Sequence, residues 1–185
     1  TGGWTAGDWN EHHRDNLKKI LGWRPKRVVV QAGGNGGLYP RLLSEIFETV
    51  YTFEPNGLYF YCLANNCQRD SIIAFNAALG YERQMVSMAS ENIGNMGAIE
   101  VIPREKSVIP TLRVDDLGLS YCDFIWLDIE GYEKHALRGA VETIGKFRPV
   151  IFTETFCKDC KSIMSQFNYN IVGRSGSDTI LVPAD

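Results

Sequence analysis

The chain of 185 residues carries a formal net charge of −3, with 44% apolar and 22% charged side chains, the balance of an ordinary globular protein. That length suits one domain with a substantial core, expected over residues 1–185 with 1–26 as a helical extension packed on it. Net acidity without a long basic run argues against a binder of phosphate backbones; no apolar stretch is long enough for a bilayer, and the start (TGGWTAGDW) lacks a signal-peptide pattern, so a cytoplasmic location is expected.

Asp8 stands where a helix N-cap would, with Glu11 three residues later as in a capping box, and a helix is expected to Leu21. Trp9, His13, Leu17, Ile20 and Leu21 would share its inner face, and Gly22 and Pro25 end it. Strands and helices then alternate. Arg27–Gln31 reads as a buried strand, and Leu38–Glu48 as a helix with Leu38, Leu42, Leu43, Ile46 and Phe47 inward. Val50–Phe53 is a second strand, Gly57–Asn66 a helix and Ser71–Phe75 a third strand.

Gly80–Pro110 is expected to be irregular, with a short strand at Ala98–Ile102, and Asp115 to Leu117 suggests a short helix. Phe124–Asp128 is a further strand, and Glu133–Phe147 one amphipathic helix with Leu137, Ala140, Val141 and Ile144 at helical spacing. Pro149–Thr153 (strand), Cys157–Phe167 (helix) and a closing pair, Asn170–Arg174 and Thr179–Val182, complete the pattern. Alternation predicts a mainly parallel sheet covered on both faces; the final turn is too short for a crossover, so the closing strands should pair antiparallel. The five cysteines are an odd number and read as reduced thiols. Cys157 and Cys160 have the C-x-x-C spacing, but no second pair or nearby His completes a zinc site. Packing is the reading taken, with a redox or metal role the lesser one.

The stretch from Val28 to Tyr39, VVVQAGGNGGLY, places four glycines in five positions where a strand becomes a helix. In an open α/β sheet, ligands bind beyond the carboxyl ends of strands. Glu54 follows at the end of the second strand, and bare backbone plus an acid at that spacing suits an adenosine with its ribose hydroxyls. From Gly34 the spelling lacks the third glycine of G-x-G-x-x-G, and no Gly-Lys-Ser/Thr ending is present. The pattern alone does not separate a dinucleotide from another adenosyl cofactor.

A second constellation, WLDIEGYE, spans Trp126 to Glu133 and sets Asp128, Glu130 and Glu133 within six residues at another strand end. Carboxylates this close raise one another's pKa unless a cation or donors neutralise them. A cationic ligand, a metal ion or a proton held for acid–base work would each do so. For Glu133, a place in the first helical turn is the competing explanation.

The chain resembles the FkbM family of S-adenosylmethionine-dependent methyltransferases from about Arg27 to Pro183, in four ordered blocks: VVVQAGGNGGLY, VYTFEPN, TLRVDDL and LDIEGYEKHALRGAVETIGKFRPVIFTE. Two departures stand out. Gln31 replaces the acid usual in the first block, and Trp126 stands where many members have Lys. The QAGGN spelling is similar to some phage-encoded members, which would place the protein in a host cytoplasm.

The resemblance implies a Rossmann-like seven-stranded class I methyltransferase sheet, mostly parallel with an antiparallel last strand. It implies S-adenosylmethionine held by Gln31, Gly33, Gly34, Asn35, Gly37, Glu54, Pro55, Asn56 and Asp128, with Asn76 a weaker candidate. Asp128 and Glu130 are the catalytic candidates, with Glu154 a neighbour and His135 a lesser possibility. The acceptor implied is a sugar or glycoconjugate hydroxyl, which Tyr81 or Tyr132 could stack against and Met85–Pro110 could help select. No metal is assigned, although a divalent ion among Asp128, Glu130 and Glu154 is left open. The alternatives are ribose 2′-O-methylation of RNA and a non-catalytic or virion-associated binding module.

Overall fold

The computed structural model describes residues 17–89, 100–102, 108–175 and 178–184; Trp9, His13 and the Asp8 cap lie outside them. Residues 17–21 are helical, followed by β1 (Val28–Ala32), α1 (Leu38–Leu43), β2 (Thr49–Phe53), α2 (Gly57–Asn66) and β3 (Ile72–Phe75). Next come β4 (Ala78–Leu79), β5 (Met85–Ala89), β6 (Glu100–Ile102), β7 (Ile109–Leu112) and a 3₁₀ turn at Val114–Leu117. The chain then forms β8 (Phe124–Leu127), α3 (Glu133–Arg138), α4 (Val141–Phe147), β9 (Val150–Thr153), α5 (Lys158–Met164), β10 (Tyr169–Ser175) and β11 (Asp178–Pro183).

Seven strands form one sheet in the order β10-β11-β9-β8-β1-β2-β3. The pairs from β9 across to β3 are parallel, whereas β11 is antiparallel to both β9 and β10. β11 alone runs against the rest, as the short final connection requires.

The central strands are apolar throughout because both faces are covered. Val30, Ala32, Phe53, Ile125, Leu127 and Ile151 face Ala136, Leu137, Ile144 and Met164 of α3, α4 and α5. On the other face Val29, Val50, Phe124, Trp126 and Val150 meet Leu17, Leu21, Leu42, Leu43 and Phe47. The alternation along β1 (Val29 one way, Val30 the other) is the period-two geometry of a strand feeding two cores at once.

Three expectations are corrected. The helix after the glycine turn ends at Leu43, and Leu38 at its start is 43% exposed rather than inward. The segment from Gly80 to Pro110 is not simply irregular: β5 and β7 pair antiparallel within a second sheet of order β4-β7-β5-β6, whose β6 overlaps the short strand expected there.

The third correction concerns Glu133–Phe147, which splits into α3 and α4 around Gly139 and Ala140. In a continuous helix the Gly139 carbonyl would accept from the Thr143 N–H. Instead the Asp115 N–H donates to Gly139 O (3.0 Å), and the Thr143 N–H donates to Asp115 Oδ1 (2.8 Å). One aspartate from the 3₁₀ turn thus supplies both missing partners. A Cβ on residue 139 would overlap the carbonyl of Gly80, so only glycine lets the chain pass there. Helical spacing persists across the break because both pieces bury the same side.

Asp115→Ala should therefore cost about 2 kcal/mol, an end cap plus a buried donor left unpaired, read as a lower urea midpoint with unchanged slope. Asp115→Asn, which keeps the acceptor for Thr143, should lose less; an alanine variant as stable as the parent would refute the bridging role.

Candidate functional site

After β1 the chain runs outward through β2 and β3, then returns to the other side of β1 as β8, so the strand order switches between β1 and β8. At that switch point a cleft of about 210 Å³ opens at the strand ends. Gly33, Asn35, Glu54, Pro55, Asp128 and Glu130 all border it.

The glycine turn is pinned by the strand next door, where the Gly33 and Gly34 N–H groups both donate to the Phe53 carbonyl (3.0 Å each). Gly33 has φ +87°, and a Cβ there would overlap the backbone carbonyl of Asp128. Gly34 packs on Thr52 and Leu63, and Gly37 on Cys67. The turn's approach is thus in large part to the protein itself. Gly34 and Gly37 shape it from below and do not border the cleft.

Glu54 is 5% exposed, and its two oxygens accept from different turns: Asn35 N–H to Oε2 (2.7 Å) and Asn56 N–H to Oε1 (2.8 Å). Burial raises its pKa above the ordinary carboxylate value, against the lowering pull of those two N–H groups. Each oxygen retains capacity for a further donor. Pro55 lines the cleft, but Asn56 caps α2 instead, its Oδ1 accepting from the Leu58 and Tyr59 N–H groups (2.9 and 3.2 Å). The Asn76 amide holds the same turn by donating to the Glu54 and Pro55 carbonyls (2.9 and 3.2 Å).

Gln31 is fully buried under this floor, with its Oε1 accepting from the Thr52 hydroxyl and its Nε2 lacking a partner among the described residues.

Across the cleft, the WLDIEGYE segment bends through Glu130 (φ +52°) and Gly131 (φ +93°). The bend leaves Glu130 exposed at the rim while Asp128 stays at the strand end, close to Glu154, Asp178 and Tyr39. Burial, then the charge of Glu154 and a hydrogen bond to it, then Glu130 and Asp178, push Asp128 up to about 7. Burial followed by Glu154 also raises Glu130. Tyr39 is raised by burial and by the charges of Asp128, Asp178 and Glu154.

Glu133 is wholly buried, and its carboxylate accepts from the Ile129 N–H (3.4 Å), bracing the bend rather than facing the cleft. His135 is stacked between Tyr81 (centroids 5.4 Å) and Tyr132 (4.2 Å), behind the cleft wall; Tyr132 borders the cleft and Tyr81 does not. Among the described residues no group of three His, Cys, Asp or Glu side chains is arranged to hold a metal ion, so a divalent ion among Asp128, Glu130 and Glu154 finds no support.

Sequence reasoning missed the apolar wall: Phe53, Tyr59, Ala77, Ala78, Leu79 and Met88. Tyr39 lay within the quoted glycine stretch and was not singled out. Met88 reaches the cleft from β5, a strand not anticipated at all.

The profile of the methyltransferase FkbM domain matches residues 44–171, more than half of the chain. The match starts past the glycine turn and includes the Glu54, TLRVDDL and Asp128 blocks. Among solved structures, a methyltransferase FkbM from Methylobacillus flagellatus is 20% identical with a TM-score of 0.58, covering 85% of this chain and 43% of its own. This chain therefore spans less than half the length of that protein. A precorrin-6y C5,15-methyltransferase from Geobacter metallireducens is 12% identical with a TM-score of 0.51, covering 92% of this chain and 87% of its own. Precorrin 8w decarboxylase from Methanobacterium thermoautotrophicum has the same identity and score, at 100% and 93% coverage. No curated protein matches the chain.

The acidic cluster makes stability depend on pH. Folded Asp128 keeps its proton up to about 7, against an ordinary value of 3.8. The native state therefore holds the extra proton in that window, and stability falls as pH rises through it. Asp128→Asn removes the charge, so its stability advantage over wild type should grow between about pH 4 and 7, reaching on the order of 1–2 kcal/mol. Urea titrations across that range test this, and a difference independent of pH would refute it.

Proposed function

Because the chain belongs to the methyltransferase FkbM domain family, we propose that it binds S-adenosylmethionine in the switch-point cleft and transfers the methyl group to a hydroxyl of a sugar or glycoconjugate. The observation that carries the cofactor reading is Glu54. Its carboxylate is buried, each oxygen is held by one backbone N–H, and each keeps room for one more donor. Two vicinal ribose hydroxyls are the donors that such a carboxylate suits.

Phe53, Pro55, Ala77 and Leu79 offer apolar surface beside it for an adenine ring. On the far side, Asp128 and Glu130 give an acidic environment that favours a cationic sulfur over a neutral or anionic ligand. Bound there, the cofactor would supply an electrophilic methyl on a positively charged sulfur.

The chain's own part is to align the acceptor and to receive the proton its hydroxyl loses. Glu130 at the rim is the group proposed to meet the acceptor. Asp128, with a pKa near neutrality, is the proposed second proton site, close to where a general base works best. Tyr132, bordering the cleft with its ring braced by His135, is the proposed platform for a sugar ring.

Isothermal titration should show S-adenosylmethionine and its demethylated product binding, and nicotinamide dinucleotides not binding. Glu54→Ala should weaken binding about tenfold to a hundredfold, the worth of charged hydrogen bonds. Dinucleotide binding in place of S-adenosylmethionine would overturn the cofactor reading. Asp128→Asn should bind the cofactor yet lose turnover; wild-type turnover would remove Asp128 from the chemistry. A labelled-methyl screen over saccharides, lipopolysaccharide, small phenols and RNA should place label on a sugar hydroxyl. Label only on nitrogen, protein or RNA would overturn the acceptor while leaving the cofactor in place.

A further inference from the structure

Cys157 and Cys160 have no part in the cleft. Cys157 is the residue before α5, in an extended conformation (φ −70°, ψ 178°), and Cys160 lies in its first turn. Residues three apart at a helix start share a face, and here the two sulfurs stand 3.4 Å apart. Their surroundings differ sharply. Cys157 is partly exposed, whereas Cys160 is fully buried in the core beneath α5. The pair thus joins a residue partly open to solvent, though packed against the core, to one that is fully enclosed.

We propose that Cys157 and Cys160 form a thiol–disulfide exchange site, with Cys157 as the attacking sulfur and Cys160 as the resolving one, acting on a small-molecule or exposed protein disulfide. The Cys157 thiolate attacks one sulfur of the substrate disulfide. That S–S bond breaks, a thiolate leaves with the electron pair, and a mixed disulfide to Cys157 forms. The Cys160 thiol then gives up its proton and attacks the Cys157 sulfur, expelling the second thiolate. Two protein thiols are oxidised by two electrons to one disulfide, and the substrate disulfide is reduced to two thiols. A dithiol runs the exchange in reverse.

The electrostatics agree with these roles. Partial burial works to raise the Cys157 thiol, but the Cys160 backbone N–H, the Cys160 thiol and the Asp159 backbone N–H outweigh it and hold Cys157 below its ordinary value. Burial first, and then pairing with Cys157, pushes Cys160 up to about 12. A thiolate is therefore favoured at the reachable sulfur, while the hidden one keeps its proton until the mixed disulfide forms. The 3.4 Å between the sulfurs leaves a short distance to close to a bond of about 2.05 Å.

The test uses glutathione disulfide at neutral pH, with alkylation and peptide mass spectrometry. The wild-type chain should lose two hydrogens in the peptide that carries both cysteines, and regain them with dithiothreitol. Cys160→Ser, or Cys160→Ala should serine disturb the core, should accumulate one glutathionyl group on Cys157. Cys157→Ser should accumulate none on Cys160. Exposed Cys62, on another helix, is the reference thiol, and Cys157 should react at least about tenfold faster. Adducts spread alike over Cys62 and Cys157, with no internal disulfide, would overturn the proposal, as would glutathionylation of Cys160 in the Cys157→Ser variant. None of these readouts depends on methyl transfer.

Discussion

One buried carboxylate joins two turns that the sheet by itself would leave independent. Glu54 accepts the Asn35 N–H with one oxygen and the Asn56 N–H with the other, at 2.7 and 2.8 Å. Phe53, the residue before it, takes the N–H groups of Gly33 and Gly34. The end of β2 therefore dictates the path of the chain leaving β1. That path in turn carries Gly33 against the Asp128 carbonyl, where no side chain fits. Two strand ends are held together by backbone donors converging on two adjacent residues, and the third is set against them by close packing at Gly33. A charge in this position would be costly if unpaired, so the loops are obliged to come to it.

The cleft so formed has unlike walls. Beside Glu54 the surface is largely apolar, built from Phe53, Pro55 and the β4 region. Opposite stand Asp128 and Glu130, with Glu154 and Asp178 close enough to raise Asp128 further. Here, unlike at Glu54, the carboxyls are pressed against one another, and a held proton relieves the strain on Asp128. One acid has its oxygens held by backbone N–H groups, and the other is raised by burial and by its acidic neighbours. Two carboxylates at one cleft thus stand in unlike surroundings, as the proposed division between a binding role and a proton-handling one requires.

The parts of this arrangement legible in the sequence were those with a local cause. Strand runs buried on both faces, the glycine turn and the acid after β2 each announce themselves through periodicity or spacing, and the helix expected from about Gly57 to Asn66 is observed there. The misreadings have distant causes. The break at Gly139 depends on Asp115, which lies in another element. The β4-β7-β5-β6 sheet depends on pairings across a segment rich in Gly, Asn and Pro. Asn56 and Asn76, named as ligand groups through the resemblance, each give one side-chain atom to the backbone around the Glu54 turn. For Glu133 the competing explanation, a place in the first helical turn, is what the structure shows, with its carboxylate bonded back to Ile129.

The two departures from the family pattern sit side by side in the fold. The resemblance places an acid where this chain has Gln31 and, in many members, a Lys where it has Trp126. In the sheet these positions are direct partners across β1 and β8, and so point to the same face. Both are buried, Gln31 completely and Trp126 at 2% exposure. A lone charge at either of these buried positions would be costly. Both residues here are neutral, and Trp126 lies against Phe152 (4.4 Å between centroids) and Tyr39 (4.6 Å). Gln31 meanwhile keeps a hydrogen bond to Thr52. Tyr39, the ring that Trp126 supports, borders the cleft, so the neutral pair still shapes the site from beneath.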